Sequence, residues 1–365
     1  MSTPPIHRDL AVDTLKAVAA QLILWHHLSA YGPLAAAASA AWPATMEWLY
    51  GYARMAVQVF LVVGGYLACR QLSLRPPDTG RGWLHLVWQR YLRLSVPLLV
   101  ALAVTALAAL WARAWLNHDF VPDAPTWWQA VTHALLIHDL MDQEALSTGV
   151  WYVAIDFQLY VGLALCLGIA QRTGQLGWAA LPVGVLTAAS LFVFNRHPDW
   201  DSWGLYFWGA YGLGLGAWVA QQRGQPPRRH LVWWGCLVIA SASAMALWVD
   251  FRERIALATV VALVLASGWQ PVWPDRLKPV VAWLSRTSYG LFLLHFAWLL
   301  VGNTVFERWL PNTPGAAWAT MVGVWLCSMA SAHVFDQWVE TPLSRHLGRS
   351  KAQARTLRPA RPPRR

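Results

Sequence analysis

Apolar segments close to twenty residues long recur from one end of this chain to the other. Twenty helical residues rise about 30 Å, the thickness of a bilayer's hydrocarbon core. Runs of that length mark membrane-crossing segments, and the core they build is a helix bundle rather than a soluble globule. The chain therefore reads as an all-α membrane protein, a polytopic bundle of about ten transmembrane helices. The expected spans are 11–31, 50–70, 91–112, 150–170, 176–194, 203–221, 231–249, 255–269, 286–306 and 316–338. The apolar stretch 127–140 is shorter and fits an interfacial or re-entrant helix. Composition agrees, because only 13% of the 365 residues are charged, about half the share usual in soluble domains.

The net charge of +10 does not mark a nucleic-acid binder, since the basic residues cluster at segment ends as membrane topology requires. With the N-terminus in the cytoplasm, 22 of the 28 Lys and Arg fall on the inner side, and both termini are cytoplasmic. Residues 1–338 form the expected transmembrane domain, and 339–365 a basic, disordered cytoplasmic tail. Small residues at 35–41 mimic a signal cleavage site. The segment before them is too long and carries Asp13 and Lys16, so a retained first span is expected. Cys69, Cys166, Cys236 and Cys327 stand singly, implying neither disulfides nor a metal site.

Ionisable residues inside the spans carry the functional signal, because each costs on the order of 3 kcal/mol at the bilayer centre. The first span holds Asp13, Lys16, His26 and His27. Lys16 and His27 are eleven residues apart, three turns along one helix face. Helix-face arithmetic favours His27 over His26 as their companion. Arg90 and Arg93 share a face at the start of the third span. Guanidinium pairs grip phosphate, although positive-inside topology also puts arginines at such a place. Asp156 and Gln158 enter the fourth span among Trp151, Tyr152 and Tyr160, near the expected outer edge of the bilayer. An aromatic belt accounts for the rings but not for the acid and amide. Ser288, Tyr289, Gly290 and His295 lie in the ninth span, where glycine permits close helix approach. His133, His138, Asp139 and Asp142 are spaced too loosely for a metal.

In order, these segments resemble the acyltransferase 3 family of integral-membrane O-acyltransferases. The carriers are Lys16 with His27, Arg90 with Arg93, residues 151–160, residues 288–295 with Phe292 where the family has tyrosine, and the closing Glu340-Thr341-Pro342. In the fourth-span motif Tyr152 and Ala154 replace serines and Phe157 replaces an acid, so the roles of those groups do not transfer. The family's frequent extracytoplasmic esterase-like domain is not expected here. The resemblance implies an acyltransferase for groups other than aminoacyl, multi-pass in a bacterial inner membrane. Its donor would be cytoplasmic acyl-CoA, acetyl-CoA above all, with no tightly bound cofactor. Its acceptor would be a hydroxyl of an envelope or exported glycan.

On this reading Lys16, Arg90 and Arg93 meet the donor's phosphates. His27 is a general base or a transient acyl carrier, and Asp156 orients it or binds the acceptor. Gln158, Tyr289, His295 and Asp13 complete the substrate contacts. The rival class is a proton-coupled transporter, which also keeps buried His, Asp and Lys in a bundle.

Overall fold

The structure, a computed structural model, describes residues 9–74, 80–172, 179–223 and 230–356. Every regular element among them is helical. The helices are α1 (Leu10–Ala30), α2 (Gly32–Ala41), α3 (Pro43–Gly51), α4 (Val57–Leu74), α5 (Gly80–Arg113), α6 (Trp127–Ala134) and α7 (Val150–Arg172). They continue as α8 (Ala180–Phe192), α9 (Gly204–Arg223), α10 (His230–Val249), α11 (Glu253–Ser267), α12 (Lys278–Trp309), α13 (Pro314–Phe335) and α14 (Thr341–Thr356). A π-helical turn, Asp336–Glu340, joins the last two.

Each expected span falls on a helix, but several boundaries move. The third lies inside α5, which is 34 residues long. Arg90 and Arg93 therefore sit well inside a helix and not at its start. No proline or glycine separates residues 83–96, so nothing stops the helix before Arg90. Within the expected span at 50–70 the long helix α4 begins at Val57, after α3 and a 3-10 turn at Ala53–Ala56. The 127–140 stretch yields only the eight-residue α6, opened by a capping box between Thr126 and Gln129. Eight residues rise about 12 Å, far short of a bilayer.

Among the described residues, six helical stretches are long and apolar enough to cross a membrane: Pro43–Ser73, Gly82–Arg113, Val150–Arg172, Val232–Val249, Lys278–Trp309 and Pro314–Gly348. The chain is thus built as a multi-pass membrane protein. α1 is outside that set although it has 21 residues. Asp13, Lys16, Gln21 and the two histidines dilute its apolarity, and it packs chiefly on α12. α8 and α11 have only 13 and 15 residues. Of the basic residues behind the expected orientation, Arg8, Arg75, Arg228 and Arg229 lie outside the described residues, as does 357–365 of the tail. The tail's first part, Thr341–Thr356, is helical.

Two large apolar cores meet at α1 and α12. Val12, Ala19 and Ile23 of α1 join the core built with α4, α5, α7, α9 and α11. Ala20, Leu24 and Leu28 join the second, built with α2, α12 and α13. α12 divides likewise, Phe292 and Leu293 facing one core, Leu291 and Phe296 the other. Close packing in the first core depends on glycine. A Cβ on Gly65 of α4 would collide with the carbonyl of Tyr211, and one on Gly214 of α9 with the carbonyl of Val62. The two backbones touch there, as small residues allow between helices in a membrane.

Candidate active site

Two cavities open toward opposite ends of α1 along the seam between the cores. The larger, about 920 Å³, is lined by Ile23, His26 and His27 near the end of α1, with loop residues from all around that end. The smaller, about 280 Å³, is lined by Lys16 near the start of α1, with Arg90, Arg93, Asp156, Tyr289 and Glu340. Phe292 lines both.

His27 is held by a hydrogen-bond chain that fixes its tautomer. His295 Nδ1 lies 3.1 Å from the carbonyl oxygen of Leu291, which can only accept. In the neutral ring the proton is therefore on Nδ1, leaving Nε2 as an acceptor. That Nε2 lies 2.7 Å from His27 Nδ1, so His27 donates from Nδ1. The lone pair of neutral His27 is then on Nε2, in a ring that lines the large cavity. The two rings are nearly parallel, with centroids 4.8 Å apart. His26 lines the same cavity, and its Nδ1 donates to the Leu49 carbonyl at 3.3 Å. The spacing argument thus picks the histidine that has a second imidazole behind it.

Arg90 and Asp156 form an ion pair at 2.5 Å, with the guanidinium also 5.3 Å from the centroid of the Tyr160 ring. Asp156, expected to serve His27, is instead 4% exposed and bound to Arg90 at the small cavity. Its helix position settles this. α7 enters at Val150, and by Asp156 it has run past the His27 level to that of Arg90. Arg93 lines the same cavity, its Nε buried without a partner. The hydroxyl of Tyr289 donates to the Leu94 carbonyl at 3.0 Å. Glu340 Oε1 is buried without a partner, packed where a side chain on Gly290 would have to sit. The Glu340 motif was visible in the sequence, but only the π turn and α13–α12 packing bring it into this cavity.

Two expected contacts lie elsewhere. Gln158 accepts from the Gly204 amide at 2.7 Å and donates to the Ser202 carbonyl at 3.3 Å, fixing the start of α9. Asp13 accepts from the Ser285 hydroxyl at 2.6 Å, tying α1 to α12, and lines neither cavity.

The wall of the large cavity includes Asp119, Glu144, Asp201, Arg54 and Arg254 beside Tyr31, Trp151 and Phe207. Its Glu144–Gly149 strip is anchored by a histidine pair. His133 and His138 stack with centroids 4.2 Å apart. His133 Nδ1 donates to the Gln129 carbonyl at 2.7 Å, and its Nε2 accepts the Leu146 amide at 3.2 Å. Burial pushes both rings down to about 4. They are therefore neutral near pH 7, the only state in which His133 Nε2 can accept.

Among known proteins, the family model described as "Acyltransferase domain" matches residues 9–332. Neither the curated proteins nor the solved structures yield a match. The matched region contains both cavities except for Glu340, Leu343 and Ser344. It does not favour the transporter reading.

Proposed function

Because the chain belongs to the acyltransferase family whose model spans it, we propose that it transfers an acetyl group from cytoplasmic acyl-CoA to a hydroxyl of an envelope or exported glycan. The proposal includes ten membrane crossings, cytoplasmic termini and residence in a bacterial inner membrane. The observation that carries it is the bare Nε2 of His27, presented to the 920 Å³ cavity by the His295–Leu291 chain.

The donor enters through the small cavity. Lys16, Arg93 and the Asp156-braced Arg90 supply positive charge for its phosphates, which offsets the nearby Glu340. At 280 Å³ this space takes the pantetheine arm rather than the whole nucleotide. Lys16 and His27 are about 16 Å apart along α1. An extended arm spans that distance and brings the thioester up to the histidine.

The acceptor enters the large cavity from the other end. Carboxylates interspersed with aromatic rings suit a sugar, since acids accept from hydroxyls and rings cover its apolar faces. His27 Nε2 takes the hydroxyl proton as the oxygen attacks the thioester carbonyl. The new C–O bond forms, the C–S bond breaks, and His27 returns the proton to the departing thiolate, giving free CoA. In a second route the acyl group rests on Nε2 before transfer. In both, His295 stabilises the charge that develops on His27 and holds the ring in place.

Mass spectrometry of envelope glycans tests this in three isogenic strains: a deletion, the wild type, and His27→Ala at equal membrane levels. Gain of an acetyl mass with the wild type alone supports the assignment. An active His27→Ala variant overturns the role of His27.

A further inference from the structure

The two cavities meet at Phe292, which lines both, and three aromatic rings occupy that level. Four helices change from one cavity to the other at that level. On α4 Gln58 lines the large cavity and Phe60 the small one. On α7 the change falls between Trp151 and Tyr152. On α12 Phe296 lines the large cavity, Ser288 and Tyr289 the small one, and Phe292 both. On α1 the change falls between Lys16 and Ile23.

Phe60, Tyr152 and Phe292 close on one another. Their ring centroids are 6.0 Å apart for Phe60–Tyr152, 6.4 Å for Phe60–Phe292 and 5.6 Å for Tyr152–Phe292. These are contact separations for aromatic rings, so the three rings pack directly on one another. Phe292 is 7% exposed, and its ring is 6.3 Å from that of His295, the partner of His27. The ring tip presses on Gly149, whose φ of +82° and lack of a side chain make the room for it. Phe60 packs against both apolar cores, so it sits on the seam itself.

We propose that this triad is the acyl-selecting constriction of the enzyme, with Phe292, the ring that lines both cavities, at its centre. The inference rests on the donor assignment made above. A thioester carried from Arg93 to His27 must pass the triad, and the space that admits it is the space one ring vacates. A slender pantetheine arm with a short acyl group fits that space. A long acyl chain does not, and the closed rings keep water of the large cavity from the waiting thioester.

The test uses membranes carrying wild type, Phe292→Ala, Phe292→Leu or Phe60→Leu. Each is given an equimolar mixture of acetyl-, butyryl- and octanoyl-CoA with envelope extract from the deletion strain as acceptor. Mass spectrometry reads the acyl masses added. The octanoyl-to-acetyl ratio is internal to each sample and does not depend on how much variant folds. We expect wild type to add acetyl almost alone. Phe292→Ala should raise the ratio about tenfold or more, the scale of discrimination that a few methylenes give in an apolar pocket. Phe292→Leu and Phe60→Leu should raise it less, and release of free CoA without acceptor should rise in parallel. A wild type that adds no acyl group from any donor overturns the donor assignment, and this inference with it. A wild type that acetylates while Phe292→Leu and Phe60→Leu keep its ratio, as does any Phe292→Ala that reaches the membrane, overturns the constriction alone.

Discussion

The tautomer of His27 is set by a residue 268 positions away. The carbonyl of Leu291 sets the proton on His295, and His295 sets the proton on His27. Removing that support frees the ring to adopt the other tautomer and to rotate. His295→Ala should lower turnover about 100-fold or more, the range of a misplaced general base, with the donor KM unchanged. His295→Gln, whose amide oxygen can accept from His27 Nδ1, should recover part of the loss. Equal activity of the two variants and the wild type would remove His295 from the mechanism. The two arginines of the small cavity should separate in the same kind of experiment. Asp156 is 4% exposed while Arg90, at 29%, is half-buried beside the cavity. Separating them leaves a buried carboxylate or a half-buried guanidinium unpaired, at a cost toward the lower end of the about 3–5 kcal/mol seen for buried pairs. Asp156→Ala and Arg90→Ala should therefore reduce the yield of folded protein. Arg93→Ala should fold, because it leaves no carboxylate orphaned, and raise the donor KM about tenfold, as loss of a charge-assisted hydrogen bond does. Isothermal titration with CoA would read the same difference.

At the scale of elements, the α4–α9 contact tolerates nothing larger than glycine at two positions. Gly65→Ala and Gly214→Ala each drive a methyl group into a main-chain carbonyl, which cannot move aside as a side chain tip can. Overpacking of this kind costs about 1–3 kcal/mol or more. Both variants should melt earlier in detergent. Gly216→Ala, whose added Cβ would meet Ile239 at an ordinary 3.7 Å, should not. The segment carrying Glu144–Gly149 makes a prediction in pH. His133 and His138 sit near 4 in the packed state against an ordinary 6.5. As pH falls from 6.5 toward 4, the opened segment binds protons that the packed one refuses. The packing free energy is therefore fully present above 6.5, is lost across that window, and changes no further once both states are protonated. Asp139, 3.4 Å from His138, faces the pair, and Asp201 lies close enough to act on Asp139. The protection factor of the Leu146 amide, its exchange rate corrected for the intrinsic pH dependence of amide exchange, should fall through this window. A protection factor that is flat with pH would show that the histidines do not anchor the strip.

At the scale of the whole molecule, the proposed function gives donor and acceptor the small and the large cavity respectively, and this makes the proposed topology checkable. Single cysteines in place of Asp201 and Arg345 should react with a membrane-impermeant maleimide from opposite sides of sealed vesicles. Labelling of both from one side would contradict the orientation. The division into two cavities also explains why α1 is less apolar than its neighbours. It borders both cavities and both cores, so its polar residues face protein or cavity rather than lipid.

All-helical architecture, the approximate helix positions and the shared face of Lys16 and His27 on α1 were legible in the chain, because they follow from local quantities. Run length selects a helix, three-turn spacing puts Lys16 and His27 on one face, and the cost of burying charge marks them. The partner of His27, the attachment of Asp156 to Arg90 and the use of Gln158 to hold α9 were not legible. Each joins residues far apart in sequence, and no periodicity within one segment carries the rotation of one helix against another. The same holds for the meeting of Phe60, Tyr152 and Phe292: Phe60 reads as an ordinary apolar residue, Tyr152 and Phe292 as departures from two separate motifs, and nothing in the chain joins the three. Only the packing of α4, α7 and α12 around the seam turns them into a barrier, because contact between rings depends on the distance between helices, and that distance is set by the bundle as a whole.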